Sequence, residues 1–335
     1  MLDEGVVQEV QALKQKVTLD APVCKAIGVK EIWRYLANEI SKEEMISLLQ
    51  QTTRQYAKRQ MTWFKKNKRD LPWRETTPWG VMVSEYMLQQ TPVNRVLPKW
   101  NEWMERWPTP KDLAKATPAQ VITAWGRLGY PRRALRLHAA AQIIAEDFNN
   151  KVPEDQETLQ LLPGIGEYTA AAIAAFAFEQ RSLVMDVNIR RLLVRAIDGE
   201  EHPKPAPTAR EKARRLEVLP VKNAHLWAAA TMELGALVCT SKNPTCELCP
   251  IIGQCNWRKN GYPKTDLVRK SQDWHGTDRK CRGTIVQALR ESESLTESAI
   301  KKLWPEESQV EKALKTLLED QLIQALPRRR YRLPQ

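Results

Sequence analysis

Two groups of residues in this 335-residue chain have types and spacings that could do chemistry. The first is Cys239-x6-Cys246-x2-Cys249-x5-Cys255, four soft ligands inside one short stretch. Thiolates at that density suit either tetrahedral zinc or a cubane iron–sulfur cluster, and the clustering argues against a disulfide framework. The second is Pro163-Gly164-Ile165-Gly166-Glu167, a turn between two helical patterns. Its two glycines can take positive φ, and the helix start that follows presents backbone N–H groups, so the turn can seat a phosphate. An ordinary helix–helix turn explains Gly-x-Gly equally well. A carboxylate about twenty residues on, Asp186, in a basic chain favours a clamp on a DNA backbone. On its own Asp186 has a plainer explanation, since an Asp before a helix is usually its N-cap.

The elements that must hold these residues are helical. Helix patterns recur at 80–89, 93–106, 118–125, 132–147, 154–161, 167–178, 188–197, 208–217 and 223–234. Pro78, Pro92, Pro108, Pro118, Pro131, Pro153 and Pro163 punctuate them, several placed as helix starts. No alternating strand pattern interrupts residues 62–258, which read as an all-α unit. Residues 1–61 form a helical appendage with apolar periodicity at Val6, Val7, Val10 and Leu13, then at Ile32, Leu36 and Ile40. A polar linker over 259–280 leads to helices at 284–291, 296–304 and 308–319 and strands at 322–326 and 330–333. That order, with Pro327-Arg328-Arg329 at the turn, predicts a small winged-helix-like region over 281–335.

Composition narrows the partners. Hydrophobic content of 42% with a mean hydropathy of −0.51 describes a soluble globular chain. No apolar run reaches the roughly 18 residues of a membrane span, and no signal-peptide core opens the chain. A cytoplasmic, nucleoid-associated monomer is expected, with no membrane partner. Net charge +12 favours a polyanion.

Two resemblances sharpen this reading. Residues 26–64, Ala26-Ile27-Gly28-Val29-Lys30 through Trp63-Phe64, resemble the C-terminal tail of tRNA dimethylallyltransferases. Those enzymes need an N-terminal phosphate-binding loop, and the chain has no GxxxxGK[ST], so no prenyl transfer is expected. Residues 62–258 resemble the helix–hairpin–helix DNA glycosylases. The match rests on the hairpin, Asp186, the run Glu233-Leu234-Gly235 through Cys249-Pro250, Trp73-Arg74, Ser84-Glu85-Tyr86-Met87-Leu88-Gln89-Gln90-Thr91 and Leu128-Gly129-Tyr130. Within that superfamily the chain is most similar to the adenine glycosylases.

The resemblance implies a [4Fe–4S] cluster on Cys239, Cys246, Cys249 and Cys255. It implies a double-stranded DNA partner carrying a mismatch, gripped through Gly164, Ile165 and Gly166. It makes Glu85 the acid at adenine N7 and Asp186 the stabiliser of the cationic sugar, with Asn188 holding that site's geometry. Gln90 and Tyr130 would wedge into the base stack. Tyr168 stands where lyase-type relatives carry a Schiff-base lysine, which implies a glycosylase that does not cut the strand. The chemistry agrees: a purine leaves easily only when protonated, and one neutral acid beside one ionised carboxylate does both jobs. Two departures bear on the substrate. Residues 259–335 are too short for the Nudix-related domain that reads 8-oxoguanine in such enzymes, and Ala229 replaces an acid or amide. The expected function is hydrolysis of adenine opposite 8-oxoguanine or guanine. A thymine or uracil mismatch glycosylase and a non-catalytic DNA-binding protein are the alternatives.

Overall fold

Left-handed glycines open the first two helices: Gly5 at φ 90° precedes α1 (Val6–Lys14) and Gly28 at φ 91° precedes α2 (Val29–Leu36). With α3 (42–52) they close around Val10, Ile32 and Met45, and Thr52 donates to Glu31 at 3.0 Å. The computed structural model describes residues 5–19, 21, 24, 28–52, 69–265 and 276–335. The transferase-like residues 53–64 and the linker residues 266–275 lie outside the described residues.

Further along come α4 (Pro78–Leu88), α5 (Val93–Arg106), α6 (Pro110–Ala114), α7 (Pro118–Trp125), α8 (Arg132–Asp147), α9 (Gln156–Leu161) and α10 (Glu167–Phe178). They are followed by α11 (Val187–Leu193), α12 (Ala209–Val218), α13 (Ala224–Leu237) and α14 (Asn256–Lys259). The C-terminal part is α15 (Asp278–Arg290), β1 (Leu295–Thr296), α16 (Glu297–Lys301), α17 (Glu307–Glu319), β2 (Gln324–Leu326) and β3 (Arg330–Arg332). The chain divides into two compact units. One comprises Met1–Asp70, Met185–Val218 and Leu226–Leu267; the other comprises Leu71–Val184, Leu219–His225 and Val268–Gln335.

The second unit is built on α4. Thr77 caps this helix by accepting from the Gly80 N–H at 3.2 Å, and Pro78 takes the first helical position, where its missing N–H costs nothing. Every residue from Trp79 to Met87 is buried, as expected of a helix that is apolar nearly all round. Tryptophans supply much of the surrounding bulk. Trp103 meets Trp107 and Trp125 edge-to-face, and Trp100 meets Trp73 in the same way. Some of the indole N–H groups reach backbone: Trp79 donates to Trp107 O at 3.0 Å and Trp100 donates to Gly80 O at 2.8 Å. The excess of this residue type therefore has a packing explanation.

The C-terminal residues of this unit form the winged-helix arrangement. The sheet is antiparallel in the order β1-β3-β2, and Ile285, Val286, Leu289, Ile300, Val310 and Leu314 fill its core. Ile122 of α7 belongs to the same core, and Arg290 Nε donates to Ile122 O at 3.1 Å. Two-residue β1 and five-residue α6 are elements that periodicity does not reveal, because each is shorter than its own period needs.

In the first unit, the helix that begins at Val187 widens into a π turn over Val194–Asp198 and stops at Gly199, φ 76°. Arg69 holds buried Glu233 of α13 with two donors, Nε at 2.8 Å and Nη2 at 2.7 Å.

Candidate active site and metal loop

Glu85 lies on the interior of α4 and is 3% exposed. The Tyr168 hydroxyl, in the first turn of α10, donates to Glu85 Oε2 at 3.4 Å. That separation is longer than an ordinary O–H···O bond. What places Tyr168 there is the hairpin between α9 and α10, which is fastened to α4. Tyr86 donates its hydroxyl to Pro163 O, and Gln89 Nε2 lies 3.4 Å from both Gly164 O and Thr169 Oγ1.

The two hairpin glycines differ in kind. Gly164 sits at φ 87°, and a Cβ there would lie 2.9 Å from Tyr86 Cε1 and 3.0 Å from Arg136 Cβ. Glycine is thus required both by conformation and by space. Gly166 departs from the expectation of positive φ: its φ is −102°, extended backbone open to any residue, and a Cβ would meet nothing within 4 Å. Its open face adjoins the start of α10. Ile165 points inward, 6% exposed, and its N–H donates to Leu162 O at 3.2 Å. Among the described residues, the Gly164 and Gly166 amides make no hydrogen bond, which leaves two donors at the turn.

Gln90 and Tyr130 share a strained backbone, at φ 56° and 46° respectively. Non-glycine residues pay for this conformation, so something must hold them in it. Arg133 does so. Its Nη1 donates to Tyr86 O at 3.1 Å, to Met87 O at 3.2 Å and to Gln89 O. Its Nη2 donates to Thr91 Oγ1 at 3.0 Å, Leu128 O at 3.3 Å and Gly129 O at 3.0 Å. One buried guanidinium therefore ties the end of the Glu85 helix to the turn that carries Tyr130. Burial draws its pKa down to about 10, with the nearby Tyr130 opposing the shift and Arg279 adding to it, and it stays cationic at neutral pH. Sequence reading misses this residue, because a second arginine after Pro131 carries no local sign of its four distant partners.

Asp186, Asn188 and the cysteines belong to the other unit. Asp186 is the N-cap of α11, as its position suggests: Oδ1 accepts from the Asn188 N–H at 2.7 Å and the Ile189 N–H at 2.9 Å. Asn188 Nδ2 adds a contact to Oδ2 at 3.3 Å. Burial raises the Asp186 pKa above the usual carboxylate value, outweighing these donors and the nearby Arg191 cation. Arg191 then links this site to the cysteine loop. Its Nη2 donates to Asn188 Oδ1 at 2.8 Å and to Gly235 O at 2.6 Å, and its Nε donates to Cys239 O at 2.7 Å. Gly235 also lets α13 lie against Asn188, since a Cβ there would stand 2.5 Å from Asn188 O.

Cys239, Cys246, Cys249 and Cys255 line one cavity with Leu192, Val238, Ile251 and Trp257. Buried Arg195 threads the loop, donating to Thr240 O at 2.7 Å and approaching Cys239 Sγ at 3.4 Å, with its guanidinium over Trp257. Burial first, and then charge on the other three cysteines, pushes the Cys249 thiol up to about 12. Such a group of thiols ionises together only with a metal to neutralise it. Among the described residues no three His, Cys, Asp or Glu side chains are grouped closely enough to share a single ion. The four sulfurs surround a cavity, and the donor set fits a multi-atom cluster.

A helical hairpin that abuts a buried glutamate, and a four-cysteine loop tied to a capped aspartate, define a helix–hairpin–helix base excision glycosylase. Comparison agrees: residues 83–225 match the description "HhH-GPD superfamily base excision DNA repair protein", and residues 1–67 match "IPP transferase". The chain is 45% identical over 280 residues to the adenine DNA glycosylase of Mycobacterium tuberculosis, covering 82% of this chain and 92% of that protein. The fold is similar to that of a thermostable thymine-DNA glycosylase, with TM-score 0.55 and 21% identity over 62% of this chain and 96% of the other. It is also similar to endonuclease III in a non-covalent DNA complex, with TM-score 0.53 and 18% identity over 64% and 98%. The chain belongs to the adenine DNA glycosylase family. It is an N-glycosylase of base excision repair.

Proposed function

We propose that the enzyme hydrolyses the N-glycosidic bond of adenine mispaired with 8-oxoguanine or guanine in double-stranded DNA. The observation that carries this reading is Glu85, a carboxyl enclosed on an otherwise apolar helix with a tyrosine hydroxyl as its neighbour. An acid placed there has one obvious use, protonation of a base drawn out of the stack. Glu85 gives its proton to adenine N7, the C1′–N9 bond breaks, and the sugar becomes an oxocarbenium ion. Asp186, ionised and held by two backbone N–H groups, stabilises that cation. Water then adds its oxygen to C1′ and returns a proton to Glu85. Tyr168 cannot form an imine, so the strand stays intact.

In this reading Gln90 and Tyr130 enter the base stack when the adenine is flipped, and the Gly164 and Gly166 amides hold a phosphate. Cys239, Cys246, Cys249 and Cys255 hold a [4Fe–4S] cluster, which supplies a rigid staple for the loop and no chemical step. Residues 62–258 act as the glycosylase domain, 1–61 as a separate helical appendage and 281–335 as a winged-helix domain. The site works in the cytoplasm at the nucleoid, as a monomer. Incubating the protein with A:8-oxoG, A:G, T:G and U:G duplexes, then treating with alkali, tests the substrate. Abasic sites are expected in the first two only. Cleavage confined to T:G or U:G would overturn the assignment.

A further inference from the structure

Tyr130 is half exposed, at 41%, and sits on a turn that Gly129 (φ 84°) and its own φ of 46° make costly to hold. From within the glycosylase fold, Arg133 holds the backbone on one side of the turn, and its guanidinium carbon lies 5.5 Å from the Tyr130 ring centroid. The closer cation comes from the C-terminal region. Arg279, the second residue of α15, sets its guanidinium carbon 4.1 Å from the ring centroid. Arg279 is exposed, so its stem is not placed there by core packing.

Its helix, in contrast, is firmly placed. Thr277 caps α15 by accepting from the Lys280 N–H, and Ile285, Val286 and Leu289 share a core with Ile122 of α7. A second contact grips the same turn from the same region. Asp320, at the end of α17, pairs with Arg132 at 3.1 Å and with Arg282 of α15. The C-terminal region thus meets residues 130 and 132, on either side of Pro131, and braces the turn at both.

We infer that the winged-helix region serves the excision reaction by bracing the Tyr130 wedge, with Arg279 as the positioning residue that holds its ring. The inference rests on the reading of Tyr130 as a wedge given above. Free tyrosine on a left-handed turn has several rotamers to lose on entering a base stack. A guanidinium laid on the ring fixes one of them before DNA arrives, which lowers the ordering cost of flipping. Once the ring enters the stack, the same cation lies close to the duplex.

A double-mutant cycle tests this on the full-length protein with Arg279→Ala, Tyr130→Ala and the pair combined. The readouts are the single-turnover excision constant on an A:G duplex, affinity for a matched duplex, and fluorescence of 2-aminopurine placed beside the mismatch. Alanine is a good helix former, so Arg279→Ala should leave the thermal midpoint unchanged. Arg279→Ala is expected to slow excision by about threefold to tenfold and to lower the 2-aminopurine signal, with matched-duplex affinity unchanged. Adding it to Tyr130→Ala should cost nothing further. An undiminished Arg279 effect in the Tyr130→Ala background would show that it acts elsewhere, as a phosphate contact, and overturn the inference. So would slow excision by Tyr130→Ala with none by Arg279→Ala, leaving the wedge reading intact. Normal excision by Tyr130→Ala would overturn the wedge reading itself, and this inference with it.

Discussion

Glu85 and Asp186 are held by opposite means. Glu85 sits on a helix with no wet face, with the Tyr168 hydroxyl beside it, whereas Asp186 is surrounded by donors at a helix N-terminus. Replacing Glu85 by Gln keeps the shape and removes the transferable proton. Excision should fall by at least about a hundredfold while duplex affinity stays near its original value. Equal single-turnover rates would take Glu85 out of the mechanism. In the proposed mechanism Asp186 must be ionised to face a cation, and burial has raised its pKa above the ordinary value of about 3.9. The acid limb of the excision rate is therefore expected above that value, with activity lost as pH falls through it. The Asn188 amide opposes the rise, so Asn188→Ala should move the limb to still higher pH. A limb that stays put in a pH–rate profile would separate Asn188 from Asp186.

The hairpin makes its argument as an element. Gly164→Val meets Tyr86 and Arg136 and cannot take φ 87° without strain, so its effect should be on folding, seen as a lowered thermal midpoint. Gly166→Val is sterically free within the protein and conformationally ordinary. It should leave the midpoint alone and weaken binding to matched and mismatched duplexes alike, since only an approaching phosphate backbone would meet the new side chain. A loss restricted to one mismatch in a binding titration would mean that the hairpin reads bases. The cysteine loop is the other element with a consequence at a distance, because Arg191 spans from Cys239 O to Asn188 Oδ1. Purified protein should be yellow-brown with about four irons per chain. Cys249→Ser should lower both iron content and excision. Full excision from iron-free protein would show that the loop is not needed to hold Asp186.

At the scale of the molecule, much of the frame was legible because its signals are local. Helix periods set off by prolines recover α5, α7, α8 and α10 to the residue, and the cysteine spacing marks the four-thiol loop without any fold. What stayed hidden is carried by contacts across long separations. Arg133 reaches back to Tyr86 and Thr91, and Arg279 reaches Tyr130, yet neither differs in sequence from any other arginine. The same distinction decides how the net charge of +12 is used. Arg133, Arg190, Arg191, Arg195 and Arg215 are buried, and those among them with carbonyl or carboxylate partners are committed to the fold. Arg328 and Arg329 lie exposed on the turn between β2 and β3. DNA affinity must come from surface cations of the latter kind, each releasing condensed counterions as it neutralises a phosphate. For about six such contacts, affinity should fall roughly a thousandfold between about 50 and 200 mM salt, linearly on logarithmic axes. Counterion release does not read bases, so matched and A:G duplexes should give the same slope and differ only in intercept. Titrations by fluorescence anisotropy across that range check both statements. A flat salt dependence would mean that the positive balance is not what draws the enzyme to DNA. Unequal slopes would mean that recognition of the mismatch changes how many phosphates are engaged.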